Sequence, residues 1–445
     1  MQNAQQSSAT QTRAASWKDA WRERNYRWYA AGMLSGGFGL QMLNTTVLWD
    51  VWERSKDPLS LGLIGLARAL PVMVLAFPAG HMVDLFDRRK ILVFTQSGFA
   101  LVAALLAVTA YCGAPLWISF VAIALSGCVR AFNMSTRQSL LPLLVPIDRF
   151  QNAVTWNSAI FQCAAIGGPV LAGGLIALTH STWIVFALST ALCAGFAIAA
   201  TQLRPRETVK ATGGFTLRAM FAGAAHIRKE KVILGAILLD LLAVLFGGAT
   251  ALLPIFATDI LHTDAVGLGI LKASTAVGAL IIAGFLAVRP TLRPAGPLLL
   301  WSVVGFGVCM ILFGISHSFW ISVALLMASG AVDNVSVVIR HVLVQTRTPD
   351  QLRGRVTAVN GIFIECSNEL GGFESGLVAA WIGPVWSVIS GGIGTLAVTG
   401  VIAWCLPALR KLDRLIDEVK PIQDPLAVNA TSESSKNQAS DSASS

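Results

Sequence analysis

About twelve apolar stretches, each near the length of a membrane-spanning helix, follow one another along this chain. A helix needs roughly 20 predominantly apolar residues to cross a bilayer. The stretches lie at 28–52, 59–83, 91–112, 116–136, 150–179, 182–202, 232–258, 264–288, 295–316, 319–345, 354–382 and 385–407. The pattern predicts an all-α polytopic membrane protein with about twelve transmembrane helices.

The composition excludes a soluble protein. Apolar residues account for 54% of the 445 residues and charged residues for 13%, and the mean hydropathy is +0.65. A soluble domain carries about 25% charged residues. The net charge of +9 comes from Lys and Arg spread along short loops, so it does not indicate a nucleic-acid partner. We therefore expect the chain to be surrounded by the lipid bilayer.

Lys and Arg collect in alternate loops, on one side of the predicted helix bundle. The opposite loops carry little beyond Arg54 and Lys56. Because positively charged loops stay in the cytoplasm, we expect cytoplasmic termini in a multi-pass protein of the cell (inner) membrane. The predicted segments are a cytoplasmic N-terminal tail, a six-helix bundle, a cytoplasmic linker, a second six-helix bundle and a cytoplasmic, largely disordered tail. They cover 1–27, 28–202, 203–231, 232–408 and 409–445, respectively.

An internal repeat relates the two predicted bundles. A shift of 203 residues, without a gap, aligns Trp117 with Trp320, Gly127 with Gly330, Arg137 with Arg340, Pro146 with Pro349, Asn157 with Asn360 and Gly173 with Gly376. One further residue of shift brings Gly80 onto Gly284 and Arg68 onto Lys272. Two six-helix pseudo-repeats are the simplest account of these matches. Transporters built in this way place the substrate path between the halves and rock one half against the other.

The segment between the second and third stretches has the pattern Gly-x-x-x-Asp-x-x-x-Arg-Arg-Lys. Gly80 allows a neighbouring helix to approach closely, and Asp84 lies on the same helical face at the membrane edge. Arg88 and Arg89 then hold the turn on the cytoplasmic side. This arrangement resembles the loop 2–3 signature of the major facilitator superfamily of transporters, and an ordinary positive-inside loop is the alternative. The resemblance implies the major facilitator fold and a gating role for these residues.

Further segments resemble one bacterial branch of the same superfamily, which includes the enterobactin-exporter type of permease. Residues 135–142 are similar to the span 4 to loop 4–5 signature of that branch, and residues 350–360 also resemble it. Gly168, Pro169 and Gly173 in the fifth stretch resemble the Gly-Pro element of superfamily exporters. The resemblance covers nearly the whole chain, and the Gly-Pro element implies efflux.

Two cations occupy equivalent repeat positions inside apolar stretches, Arg68 in the second and Lys272 in the eighth. A charge within the membrane is costly unless it is paired or faces a cavity. Their depth predicts a position nearer the outer side. They either extend toward the membrane interface, bind anionic groups of a substrate, or pair with acidic residues.

Arg130 and Asp333 are opposite charges at equivalent places in the fourth and tenth stretches. They could form a salt bridge across a cytoplasmic gate, or each could pair within its own half. Arg137 and Arg340 follow seven residues later on the same helical faces. We expect this second pair to reach the cytoplasmic interface.

Three acidic residues inside apolar stretches are candidates for carrying a proton. Asp240 lies deep in the seventh stretch, and Glu365 and Glu369 share a face of the eleventh stretch at i, i+4 spacing. A carboxyl group in a low-dielectric cavity holds a proton more readily, which proton coupling requires. The alternative is that the acids of the eleventh stretch neutralise Arg residues of adjacent helices.

No enzyme signature is found in the sequence. The six histidines are never paired at metal-ligand spacing, and no phosphate-binding loop occurs. We therefore expect no cofactor or metal, and a secondary transporter driven by an ion gradient. The prediction is a monomeric, proton-coupled exporter of a siderophore-like or other amphipathic small molecule, acting by alternating access. A broad-specificity drug efflux pump, a metabolite importer and a non-transporting membrane sensor are the alternatives.

Only one half keeps the loop 2–3 motif in full, because Val288 stands at the repeat position of Asp84. A motif that the second half lacks indicates a role outside the substrate site. We interpret Asp84, Arg88 and Arg89 as a cytoplasmic latch. The latch would hold the outward-open state by gripping the opposite half near Arg355.

An Asp84→Asn substitution should reduce transport while leaving substrate affinity nearly unchanged. The physical reason is that the latch acts on the balance between conformations and does not touch the substrate. Transport rates in vesicles and binding isotherms of the purified protein separate the two quantities. A large loss of affinity in the variant would contradict the latch interpretation.

Overall fold

The computed structural model describes residues 19–205, 225–288 and 293–413. The long helices of these residues are α1 (Arg24–Ser55), α2 (Pro58–Leu85), α3 (Arg88–Tyr111), α4 (Leu116–Leu144), α5 (Ile147–Thr179), α6 (Thr182–Thr201), α7 (Lys231–Phe246), α8 (Ala265–Val288), α9 (Ala295–Ile315), α10 (Phe319–Arg347), α11 (Asp350–Ile382) and α12 (Pro384–Cys405). Most of the predicted linker and of both predicted tails lies outside the described residues.

Ten of the described helical segments are long and apolar enough to cross a membrane, when α7 is counted with the turns that continue it to Ile260. The other two long helices, α1 and α11, have 32 and 33 residues, which is enough to span a bilayer. They are more polar, with Gln41 and Asn44 in α1 and Asn368 and Glu369 in α11. Each of them packs against the membrane-spanning helices of its own half. The predicted all-α polytopic membrane fold is confirmed.

Aspartate side chains cap the first turns of α2 and α3, directly after the tight turns that precede these helices. Asp57 accepts hydrogen bonds from the backbone N–H groups of Leu59 (3.1 Å) and Ser60 (3.2 Å), and Pro58 occupies the first position of α2. Asp87 likewise accepts from the N–H of Arg89 at 2.9 Å. These carboxylates satisfy N–H groups that the first helical turn leaves without partners.

The seventh predicted span is not the continuous helix that its apolar run from 232 to 258 suggests. The α-helix ends at Phe246, and Gly247 and Gly248 lead into irregular turns that continue to Ile260. A Cβ atom at Gly248 would collide with the backbone of Gly371 on α11. The glycine pair thus allows α11 to approach closely, at the expense of regular helix.

The same pairs of helices pack together in each half, which confirms the predicted pseudo-repeat. In the first half α1 packs on α5 and α6, α2 on α4, and α3 on α4 and α6. In the second half α7 packs on α11 and α12, α8 on α10, and α9 on α10 and α12. Across the halves, α2 packs on α11 and α5 on α8. The division of the chain into two bundles at the predicted residues stays a prediction.

We call the end of the bundle where α1 begins and α12 ends the terminal face. There the amide of Asn25 donates to the carbonyl of Arg204 (2.7 Å), and Arg149 pairs with Glu23 (2.7 Å). Residues 409–413 turn back after α12 and pack on α7 and α9. The packed part of the chain therefore extends beyond the predicted spans at both ends.

We call the opposite end of the bundle the distal face, and here the two halves are held together. The indole N–H of Trp52 on α1 donates to the hydroxyl of Thr258, which follows α7, at 2.9 Å. One buried apolar cluster joins residues of both halves, among them Val47, Leu61 and Leu271. The protein is thus closed between its halves at the distal face.

Glycines form the seam between the halves near the distal face. Gly376 of α11 lies against the backbone of Gly62 of α2, and Gly173 of α5 lies against Ala265 and Val266 of α8. Small residues let helix backbones approach closely in a membrane. The shift that aligns Gly173 with Gly376 shows that both contacts belong to the pseudo-repeat.

A Gly376→Leu substitution should separate α2 from α11 at the distal face, because the new side chain meets the backbone of Gly62. In a variant without the native cysteines, spin labels at Ser60→Cys and Trp381→Cys report this distance. We expect it to lengthen by several ångströms. Gly400→Leu is the control, since nothing lies within 4 Å of a Cβ there. Equal distances in both variants would contradict a seam that depends on close backbone contact.

Candidate functional site

A cavity of about 420 Å³ lies between the two halves, near the middle of the helices. It forms where α1, α2, α4 and α5 of the first half face α8, α11 and the turns after α7. Its polar lining consists of Gln41, Asn44, Arg68, Arg130, Thr250, Lys272, Thr275, Asn368 and Glu369. We call this space the central cavity. Five of the predicted site residues are brought together here, namely the ionisable Arg68, Arg130, Lys272 and Glu369, and Pro169 of the Gly-Pro element.

Arg130 on α4 forms an ion-pair network with two carboxylates on α11, across the halves. Its guanidinium lies 2.7 Å from Glu365 and 3.7 Å from Glu369. In this structure Arg130 pairs neither with Asp333 nor with an acid of its own half, and the acids of the eleventh stretch neutralise it instead, as one of the predicted alternatives describes. A bridge to Asp333 across a closed gate stays a prediction. The i, i+4 spacing of the two acids places them on the face of α11 that meets α4, and one Arg bridges both.

Arg68 and Lys272 face the central cavity and not the membrane interface. Arg68 is 9% exposed, and each of the two cations interacts electrostatically with Glu369. Among the described residues, neither has an ion pair within 4 Å. The two side chains therefore do not extend toward the membrane interface, which was one of the alternatives predicted from the sequence.

A second buried ion pair lies within the second half, away from the central cavity. Arg340 on α10 pairs with Asp240 on α7, and the two side chains are only 2% and 8% exposed. The prediction that Arg340 reaches the cytoplasmic interface is wrong, because its guanidinium turns inward to the carboxylate of α7. Asp333, seven residues earlier on α10, interacts electrostatically with both. Asp333 thus belongs to this cluster and not to the Arg130 network.

Two further cavities separate the halves toward the terminal face. The larger, of about 940 Å³, is lined by Tyr29, Arg137, Asn157 and His341 among others. The smaller, of about 280 Å³, lies between α2, α4 and α11 and reaches Glu365. The halves are therefore apart at the terminal face and together at the distal face.

The residues of the loop 2–3 motif do not meet the second half as the latch interpretation describes. Gly80 lines the smaller cavity opposite Gly354. The guanidinium of Arg89 donates to the carbonyl of Thr201, on α6 of its own half. The side chain of Asp84 lies outside the described part of the chain. Because the latch belongs to a state closed at the terminal face, it stays a prediction.

The Gly-Pro segment of α5 lies where α5 contacts both α1 and α8. Gly168 faces Gln41 of α1, and Gly173 faces Ala265 of α8. Pro169 lines the central cavity. The segment thus sets how closely α5 approaches its neighbours beside the cavity.

Several polar residues of the cavities were not singled out from the sequence. Gln41, Asn44 and Thr250 line the central cavity, and Asn157 lines the larger one. The signal that points to the first two is the low hydropathy of α1. A helix inside the membrane that is too polar for lipid has a face turned toward water or protein.

The fold and its cavities are those of a membrane transporter built from two structural repeats. In such proteins the site at the interface of two structural repeats binds the transported molecule. The chain belongs to the transmembrane secretion effector family of the major facilitator superfamily, whose family model matches residues 16–435.

Two curated relatives that match most of the chain are efflux proteins, and a third relative matches a shorter segment. Macrolide efflux protein A of Streptococcus pyogenes is 23% identical over 384 residues, which cover 84% of this chain and 93% of that protein. The multidrug efflux pump Tap of Mycobacterium tuberculosis is 26% identical over 401 residues, covering 86% and 93%. The staphyloferrin A transporter of Staphylococcus aureus is 30% identical over 135 residues, covering 30% and 34%.

The fold is also that of solved transporter structures. A bacterial homologue of the human lysosomal transporter Spinster, in an inward-facing and occupied conformation, aligns with a TM-score of 0.67 and 11% identity. The alignment covers 88% of this chain and 97% of that one. At this identity the likeness concerns the fold alone.

Removing one member of the Asp240–Arg340 pair should destabilise the protein far more than removing both. Arg340→Met leaves a buried carboxylate without its partner, which costs about 3–5 kcal/mol. An Asp240→Leu/Arg340→Met double variant removes both charges and should recover most of this loss. Unfolding of the purified protein in detergent measures the difference, with Arg355→Met at an exposed position as the control. Additive effects of the two substitutions would contradict a tightly coupled pair.

Proposed function

We propose that the protein is a proton-coupled exporter that moves a small molecule across the cell membrane by alternating access. The observation that carries the proposal is the Arg130–Glu365–Glu369 network, which joins the two halves beside the central cavity. A network of this kind changes its pairing when the halves move apart. It therefore couples the protonation of a carboxyl group to the conformation of the transporter.

The proposed direction of transport is export, and the opening at the terminal face is compatible with it. We assign the terminal face to the cytoplasm, because the basic loops lie there. With the halves apart at this face, a molecule from the cytoplasm can enter through the cavities of about 940 and 280 Å³. The efflux names of the full-length relatives support export. We propose a monomer as the functional unit.

Glu369 is the preferred proton carrier. It lines the central cavity, and its carboxylate lies at the longer distance, 3.7 Å, from Arg130. Protonation of Glu369 leaves Arg130 paired with Glu365 alone, so the network persists in a weaker form. Glu365 is the second candidate. Asp240 is a third, but its carboxylate is nearly fully buried against Arg340 and does not line the central cavity.

The substrate class includes siderophore-like and other amphipathic molecules. The partial match to the staphyloferrin A transporter supports the first group. The runner-up, a broad-specificity drug efflux pump, is supported by the names of the two full-length relatives. A metabolite importer would show the opposite direction of transport in the same vesicles. A non-transporting sensor would keep its phenotype when Asp240 and Glu369 are replaced by neutral isosteres.

Glu369→Gln should lower proton-driven transport at least about tenfold, because the amide cannot carry a proton. The assay is uptake of a radiolabelled macrolide or of staphyloferrin A into inverted vesicles, with and without a protonophore. Glu374→Gln is the matched control, since it removes a carboxyl group from the same helix outside the central cavity.

Four results of this assay are decisive. Uptake of staphyloferrin A alone favours the siderophore-like class, and uptake of the macrolide favours the drug pump. Uptake that the protonophore leaves unchanged would contradict proton coupling. Equal losses in Glu369→Gln and Glu374→Gln would show that the effect is not specific to the network.

A further inference from the structure

The central cavity carries more positive than negative charge. Arg68, Arg130 and Lys272 line it, whereas Glu369 is the one acidic residue among its described lining residues. Glu365 approaches from the side of the smaller cavity and pairs with Arg130. Even with both acids counted, the site keeps one excess positive charge. In a low-dielectric surrounding, such an excess attracts an anion strongly.

Arg68 and Lys272 are the cations that this balance leaves without a close carboxylate. Arg130 is satisfied by Glu365 at 2.7 Å. Arg68 is more than nine-tenths buried, and Lys272 is partly buried. Within the described residues, neither cation has an ion pair within 4 Å. Both interact with Glu369 at longer range, and they repel each other. An added anion between them would offset the repulsion and supply the missing partner.

The two cations also come from opposite halves of the molecule. Arg68 lies on α2 and Lys272 on α8, at positions that the internal repeat makes equivalent. A group bound by both therefore touches the two halves at once. The affinity for such a group therefore depends on the distance between the two halves, and its binding favours one distance over others.

The remainder of the lining combines five uncharged polar residues, namely Gln41, Asn44, Thr250, Thr275 and Asn368, with apolar ones. Leu48, Leu61 and Ile64 come from the first half, and Ala251 and Ala276 from the second. These side chains offer contact area to a carbon skeleton but no hydrogen bonds. The site thus combines cationic side chains with both apolar and uncharged polar side chains, which suits an amphipathic molecule with an acidic group.

We propose that the central cavity selects amphipathic substrates that carry an anionic group, and that Arg68 and Lys272 bind this group directly. The proposal rests on the proposed function in one respect, namely that the central cavity is where the transported molecule binds. Arg68 offers a planar fork of donors that matches a carboxylate, and Lys272 offers a point charge beside it. A cationic substrate is disfavoured, because it would meet three positive side chains.

The test uses three fluorescent probes that share a dansyl group and differ in their head group. Dansylglycine carries a carboxylate, dansylglycinamide is neutral, and dansylethylenediamine is cationic. Binding is measured by fluorescence with the full-length protein in nanodiscs of phosphatidylcholine, so that no anionic lipid competes for the site. We expect the carboxylate probe to bind about tenfold more tightly than the amide, as for a hydrogen bond to a charged group. The cationic probe should bind weakest.

Substitutions test which residues confer the preference for the carboxylate probe. Lys272→Gln and Arg68→Gln should each abolish most of the preference for the carboxylate probe, and Lys272→Arg should keep it. Lys411→Gln is the control, because it removes one positive charge from an exposed position outside the central cavity. The comparison of the three probes on the unchanged protein remains a complete test if a variant fails to fold.

Several outcomes would overturn the proposal. They are equal binding of the carboxylate and amide probes, tighter binding of the cationic probe, and no saturable binding of the carboxylate probe to the unchanged protein. A preference that survives in both Lys272→Gln and Arg68→Gln would also overturn it. Failure of the proposed function looks different, since selective binding of the carboxylate probe would persist without proton-driven uptake into vesicles.

Discussion

A charge inside a membrane protein must have a partner or face a cavity, and this requirement organises the structure. Arg130 meets it across the halves with Glu365 and Glu369, and Arg340 meets it within the second half with Asp240. The first network lies between the two halves, whereas the second pair lies inside one half. One kind of interaction therefore serves two purposes, which are to join the halves and to fix the packing of α7 on α10.

The sequence predicts the parts of the fold that depend on local composition. Apolar runs near the length of a bilayer give the helices, and the 203-residue repeat gives the equivalence of the two halves. The four ionisable residues of the central cavity were found in the same way, because charges inside apolar runs are rare. In each case the signal is carried by the residue itself and its neighbours in the chain.

Pairing partners and breaks in helices could not be predicted, because they depend on which helices meet in space. Arg130 and Asp333 are equivalent in the repeat, but Arg130 pairs with two acids of α11 across the halves, whereas Asp333 interacts with Asp240 and Arg340 within its own half. The end of α7 at Phe246 follows from the approach of Gly371, far along the chain, to Gly248. Periodicity along one segment contains no information about such contacts.

The closed distal face makes the conformational balance depend on temperature. Its apolar cluster, together with the hydrogen bond from Trp52 to Thr258, keeps water out from between the halves. Opening toward that side exposes this surface to water, and hydration of apolar surface raises the heat capacity. Because apolar burial weakens on cooling, the state open at the distal face should become relatively more favourable in the cold. The free-energy cost of separating the halves at the distal face is therefore partly set by the solvent.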